Sequence, residues 1–355
     1  MIPRTGSALA ATAAVALACS APALLPELAE AERLEREGRH DEAIAAYERA
    51  TATCQTIANR EHRRARCAEA HLYRAELFER TGRPRQAADA YLAIPEAVDD
   101  VQAAARATYQ AGRILLELGE DARGYDLLWH TLTEYPDQLV APDAVKLLAD
   151  DGRRRAPREL YRAFRGLWGP LAGTEVAPHL VLSMAEIAEE ELEDARAALS
   201  LYDELAARHP DSGLHDTALW RGGRLARELG DARGALARYR QLLTTREKLP
   251  FGLGTTHSPH LDDALLEIGR IHRDDLADHR ESIAALRRLP KEFPHSRLHD
   301  DAAFERALTW AAADQRGRAC AELAQLAANW PDSRYELERA PALRRELTCP
   351  PTGEL

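Results

Sequence analysis

The sequence is poor in lysine, in aromatic residues and in strand-forming runs. Only Lys146, Lys248 and Lys291 interrupt a basic complement of 47 that is otherwise arginine. Aromatic residues make up 6% of the 355-residue chain. Runs of Val, Ile, Thr and Tyr are nearly absent, whereas Ala, Leu, Glu and Arg, all strong helix formers, crowd the sequence. This excludes a β-rich core and predicts an all-α protein. A net charge of −11 argues against a general nucleic-acid binder, because phosphate binding depends on positive surface. With 45% hydrophobic and 30% charged residues the chain is globular rather than disordered.

Catalytic signatures are absent too. There is no Walker loop, no G-x-G-x-x-G after a strand, no G-x-S-x-G and no H-E-x-x-H. The expectation is a non-enzyme with no cofactor and no small-molecule substrate. Glu189, Glu190 and Glu191 read as a solvated helix face. His257 and His260, followed by Asp262 and Asp263, suggest a surface metal site. However, His215 and His299 each stand immediately before the Asp of their repeat and His260 two before its own, so the recurrence points to a structural joint and no metal is expected.

No apolar run is long enough to cross a bilayer. Met1 to Ala18 reads instead as a signal peptide, with Arg4 in a short positive n-region and "ALAATAAVALA" (Ala8 to Ala18) as the h-region. "VALAC" (Val15 to Cys19) resembles a bacterial lipobox, although Leu17 stands two positions before the cysteine where three is commoner. The expectation is lipidation at Cys19, a lipidated linker over 19–26, and two or three acyl chains as the only membrane anchor. Ser20, rather than Asp, after the cysteine implies transfer to the outer membrane, facing the periplasm. The alternative is ordinary cleavage near Ala16 to Ala18, which leaves a soluble periplasmic protein. Cys54, Cys67, Cys320 and Cys349 remain, an even number that suits an oxidising compartment. Proximity in sequence favours pairing Cys54 with Cys67 and Cys320 with Cys349. Buried free thiols are the alternative, and no C-x-x-C spacing favours zinc.

The strongest positive signal is internal repetition. "GRHDEAIAAYERA" (Gly38 to Ala50), "GRPRQAADAYLAI" (Gly82 to Ile94) and "GDARGALARYRQLL" (Gly230 to Leu243) share a glycine, then Ala43, Ala87 or Ala235, then Tyr47, Tyr91 or Tyr239. "GEDARGYDLLWHTLTEYP" is a weaker copy. Glycine ends one helix in a left-handed conformation, the small residue lets two helices approach, and the aromatic fills the gap to the next unit. A second phrase, "HPDSGLHDTAL", "SPHLDDALL" and "FPHSRLHDDAAF", predicts helix caps at Asp216, Asp262 and Asp300. About eight helix pairs result. The unit near 139–171 fits least, its "GLWGPLAG" stretch reading as a loop, and Thr244 to His260 is the longest connection.

These residues resemble the tetratricopeptide repeat, and the phrasing is similar to bacterial envelope members such as BamD and the C-terminal repeats of CpoB. The resemblance implies a TPR-like superhelical solenoid over 27–334, with a capping helix and tail over 335–355. It also implies that the first helix of each pair lines a groove. On that register Glu69, Glu76 and Glu79, then Tyr109 and Arg113, then Trp220, Arg224 and Arg227, then Arg270 and Arg273 are the candidate groove residues. Arginine and aromatic side chains dominate binding hot spots, which points to an acidic peptide or protein segment as partner. On this reading alanine at Arg224, Arg227 and Arg270 leaves folding intact. The competing reading is solvated arginines, with Trp220 in the core. The expected function is a non-catalytic protein-interaction scaffold for other envelope proteins or peptides, acting in envelope assembly or organisation. The alternatives are a soluble periplasmic adaptor and a relative of cell-wall hydrolases without a recognisable catalytic domain.

Overall fold

The computed structural model describes residues 25–245 and 258–350. Cys19 and the rest of the signal region lie outside these residues, as do His257 and most of the long connection after Thr245. The described residues are helical throughout, without strands. They fall into two compact units that divide after Ala144.

The first unit holds α1 (Pro26–Arg36), α2 (His40–Thr53), α3 (Arg60–Arg80), α4 (Pro84–Leu92), the single turn α5 (Ile94–Ala97), α6 (Val101–Glu117) and α7 (Asp121–Glu134). They form three antiparallel hairpins, α1/α2, α3/α4 and α6/α7, each packed on the next. The turn inside each hairpin is made by Gly38, Gly82 or Gly119, at φ of +74°, +72° and +76°. Behind the first two turns, Ala43 and Ala87 are completely buried and Tyr47 and Tyr91 are 1% exposed. The alanine admits the neighbouring helix, and the tyrosine fills the space between hairpins. The Cys54–Cys67 disulfide ties the end of α2 to α3.

The boundary between units falls within α8 (Ala141–Arg155). The second unit continues with α9 (Pro157–Leu171), α10 (Ala177–Glu186), α11 (Ala195–Arg208), α12 (His215–Glu228), α13 (Ala232–Thr245), α14 (Leu261–Asp274), α15 (His279–Glu292), α16 (His299–Ala312), α17 (Arg316–Asn329) and α18 (Ala340–Glu346). The stretch "GLWGPLAG" is not a loop: α9 runs through it to Leu171, with Pro170 in the last turn. Proline is tolerated there because only one intrahelical bond is lost at an end that would fray anyway. Gly230 makes the α12/α13 turn, but Glu193, Ala277 and Asp314 adopt the same left-handed conformation at the α10/α11, α14/α15 and α16/α17 turns. The glycine signal is therefore missing in the sequence while the turn is kept. Ala198, buried, and Tyr202, 0% exposed, repeat the alanine–tyrosine spacing in α11.

Asp216, Asp262 and Asp300 do not cap their helices. Each is the second helical residue. Among the described residues no side chain caps these helices; the turn serine instead closes the turn before each, Ser212, Ser258 and Ser296 accepting from the backbone N–H two residues on, of Leu214, His260 and Leu298, at 3.2, 3.3 and 3.0 Å. Ser296 then donates to Asp262 of the preceding hairpin at 2.6 Å, and Ser333 to Asp300 at 2.6 Å. The aspartate is used between hairpins rather than within one helix. After Ser333, a π-helical turn (Tyr335–Arg339) and α18 cover the last apolar face, where Tyr335 stacks on Phe304. The Cys320–Cys349 disulfide fastens that cover to α17.

Candidate functional site on the first helices

The candidate groove residues lie on successive first helices, but their arginines are not free cations. In the first unit Arg80 of α3 pairs with Glu35 of α1 at 2.5 Å. Arg106 of α6 pairs with Glu76 of α3 at 2.8 Å, and Arg113 pairs with Glu79. Tyr47 donates to Glu35 at 3.1 Å and Tyr91 to Glu79 at 3.4 Å. A module therefore repeats: the tyrosine of a second helix holds the glutamate of its own first helix, and that glutamate takes an arginine from the next hairpin. Tyr109 is half-buried, one turn before Arg113.

The second unit builds the same module with a different backbone. Residues Ile187–Glu191 form a π-helical turn at the end of α10. Glu189, 11% exposed, accepts from Tyr202 at 2.6 Å and from Arg224. Glu190 pairs with Arg221 at 2.6 Å, and Glu186 accepts from Arg153 and Arg221 at 2.5 and 3.0 Å. The reading of Glu189–Glu191 as a solvated face therefore fails at Glu189, which arginines about a repeat away in sequence cover, whereas Glu190 is paired with Arg221 but stays exposed. Burial pushes the Tyr202 phenol up to about 12, partly offset by Arg221.

From α12 onward the polarity reverses. Arg227 reaches forward to Glu267, Asp275 and Asp274 at 2.8, 2.8 and 3.3 Å. Arg270 bonds Glu267 and Glu305 at 2.7 Å each, and Arg273 bonds Glu305 and Asp274. Glu305 is 4% exposed as a side chain. In the second unit the six arginines named here share eight carboxylates, counting Glu228, which pairs with Arg224 at 2.6 Å. The surface is acid-rich rather than basic. Pairs of this kind, partly buried and linked to one another, fix the relation between neighbouring helices, and removing one partner strands the other. Alanine at Arg224, Arg227 or Arg270 would leave Glu189, Glu267 or Glu305 without one of its arginines, so some loss of stability is now the expectation.

Trp220 is half-buried rather than in the core. It stacks on His260 at 5.3 Å with an interplanar angle of 3°, and tilts against Tyr239. His260 thus takes a packing role. Among the described residues no group of His, Cys, Asp and Glu is arranged to hold a metal ion, and no helix is long and apolar enough to cross a membrane. The cysteines stand as two pairs, Cys54 with Cys67 and Cys320 with Cys349.

Sequence reasoning overlooked Glu35, Glu186, Glu267 and Glu305 and misread Glu189, the acidic half of the ladder. A signal was present: Glu35 and Glu79 each stand three residues before the turn glycine and twelve before the tyrosine. In the fifth pair the π-helical turn and Glu193 disguise that spacing.

Antiparallel hairpins with a left-handed turn, a buried alanine and an inter-hairpin tyrosine define a helical-repeat protein of the tetratricopeptide type. Residues 263–296, which span the α14/α15 hairpin, match the tetratricopeptide repeat family model. Similar solved structures include the C-terminal part of a TPR repeat-containing protein from Cytophaga hutchinsonii (14% identity, 78% of this chain and 98% of that one, TM-score 0.48). They also include YrrB, described as a TPR protein with an unusual peptide-binding site (12% identity, 59% and 95%, TM-score 0.42). A third is PilW, described as a type IV pilus biogenesis factor (14% identity, 76% and 96%, TM-score 0.37). No curated protein sequence matches the chain.

Proposed function

We propose that the chain is a non-catalytic protein-interaction scaffold of the bacterial envelope, tethered by lipid at Cys19 to the outer membrane and facing the periplasm. The observation that carries the scaffold reading is that, within each unit, first helices are held in register by a tyrosine–glutamate–arginine ladder, with half-buried Tyr109 beside it in the first unit and Trp220 in the second. Aromatic and arginine side chains presented on a rigid frame are the chemistry of binding hot spots. The excess of carboxylates favours a polypeptide segment bearing basic residues, in place of the acidic partner expected when the arginines were counted as free. The two disulfides support an oxidising compartment, and so an exported protein.

Three experiments test this. A photo-reactive residue at Tyr109 or Trp220, activated in intact cells, is expected to cross-link a defined envelope protein through a basic segment, and the absence of any cross-link at both positions overturns the scaffold reading. Growth with a labelled fatty acid is expected to label the wild type and not Cys19→Ser. Equal labelling removes the lipid tether and leaves the soluble adaptor. Release of muropeptides from purified peptidoglycan by the full chain would refute the non-catalytic reading.

A further inference from the structure

Most arginines among the described residues are bonded to carboxylates; Arg196, Arg233 and Arg280 are exposed without such a bond, and α9 carries three arginines of that kind. Arg158, Arg162 and Arg165 of α9 are exposed, and among the described residues none of them has an ion-pair or hydrogen-bond partner. Their spacing at i, i+4 and i+7 sets them along one stripe of the helix. Gly169, at i+11, continues the stripe, and Gly166 borders it. The opposite side, Leu160, Phe164, Trp168 and Leu171, is buried in the fold.

The glycines are the second, independent observation. In helix interiors glycine is unfavourable, and in this protein it usually has a local reason. A Cβ at Gly152 would come within 2.8 Å of Leu160, at Gly223 within 2.5 Å of Tyr239, and at Gly269 within 2.6 Å of Leu286. A Cβ at Gly166 or Gly169 would meet nothing within 4 Å. Among the described residues no contact accounts for these two positions, which give up helix propensity on an open face. The absence of a side chain has value there only if another backbone comes close.

We propose that the exposed face of α9 is a docking surface for an acidic helical segment of a partner protein. The segment lies against Gly166 and Gly169 and pairs its carboxylates with Arg158, Arg162 and Arg165. Guanidinium groups at helical spacing match carboxylates at the same spacing on a second helix, with two-pronged geometry available at each. A bilayer is the poorer fit, because the apolar side of α9 is already buried and the open face carries no large apolar residue to insert. Nucleic acid is disfavoured by the net charge of −11. The surface is separate from the ladder on the first helices, so either proposal can fail without the other.

The test uses the full chain and a labelled alanine-based peptide with Glu at i, i+4, i+7 and i+11, compared by fluorescence anisotropy with a peptide of the same composition whose glutamates are spread around the helix. The wild type is expected to prefer the patterned peptide by about tenfold, and the combined Arg158→Glu, Arg162→Glu, Arg165→Glu variant to lose that preference. Gly166→Leu combined with Gly169→Leu is expected to lose it as well, while thermal stability is unchanged or higher, because leucine is the better helix former. Equal binding of the two peptides overturns the proposal, as does full binding by the leucine variant. Binding to phosphatidylglycerol vesicles without binding to the peptide assigns the stripe to a membrane. Self-association of the wild type that the charge reversal abolishes assigns it to a second copy. Either result overturns the proposal.

Discussion

Arg270 donates through Nε to Glu305 at 2.7 Å, joining α14 to α16, and the other oxygen of Glu305 takes Arg273 from the same helix. Glu305 is almost fully buried, so two guanidinium groups depend on one carboxylate that water scarcely reaches. Glu305→Gln keeps the shape and removes the charge. The expected loss is about 3 kcal/mol in urea unfolding, in the range for breaking a buried pair. Arg33→Ala, which breaks an exposed pair with Glu37, is expected to cost less than about 1 kcal/mol. Equal effects for the two would show that the ladder does not support the stack.

The hairpin turns offer a substitution with the opposite sign. Ala277 sits at φ of +53°, a conformation that costs an L-residue about 1–2 kcal/mol. Ala277→Gly relieves that strain and gives back part of it as added freedom of the unfolded chain. The net expectation is a gain of about 0.5–1 kcal/mol, read as a higher midpoint in thermal unfolding. The reverse change, Gly82→Ala at φ of +72°, is expected to lower the midpoint.

Each disulfide closes a short loop, with sequence separations of 13 and 29 residues. Loop-closure entropy for these lengths corresponds to about 3 kcal/mol apiece. Cys320→Ser with Cys349→Ser is expected to loosen the cover formed by α18 before the rest of the second unit, because that segment is held otherwise mainly by Phe304 and its neighbours. Hydrogen exchange should show early loss of protection in Ala340–Glu346. Uniform destabilisation without that local loss would contradict the role given to the bridge.

Acid should weaken the first unit through His71. Burial in α3, reinforced by Arg74, lowers its pKa from an ordinary 6.5 to about 4. The folded state therefore holds off a proton that the unfolded state accepts. The stability that the neutral ring contributes is complete above about 6.5 and is lost as the pH falls towards about 4. His272 in α14 acts in the same direction, lowered by burial and then by Arg240. Melting temperatures between these two pH values should fall less steeply for His71→Gln than for the wild type. Parallel curves would remove His71 from the account.

The helix hairpins were legible in the sequence because their determinants are local. A left-handed glycine, an alanine five residues on and a tyrosine four beyond that decide turn, contact and filling within a dozen residues, and Gly38, Gly82 and Gly230 adopt the conformation that their spacing requires. Where Glu193, Ala277 and Asp314 replace the glycine, packing on either side imposes the same turn against local preference, and no local pattern reports it. Asp216, Asp262 and Asp300 looked like caps because a cap is a local device, yet Asp262 and Asp300 serve the next hairpin.

Charge was the least legible property. The sequence alone determined which residues carry it, and a helical period determined which of them share a face. Whether Arg224, Arg227 and Arg270 are available to a partner depends on what stands within reach about a repeat away, and only the stacked structure brings Glu189, Glu267 and Glu305 there. The same arrangement leaves Arg158, Arg162 and Arg165 without partners among the described residues, a difference invisible in a sequence where all six arginines look alike. Turns and helix faces are written in neighbouring residues, whereas electrostatic pairing is a property of distance in space.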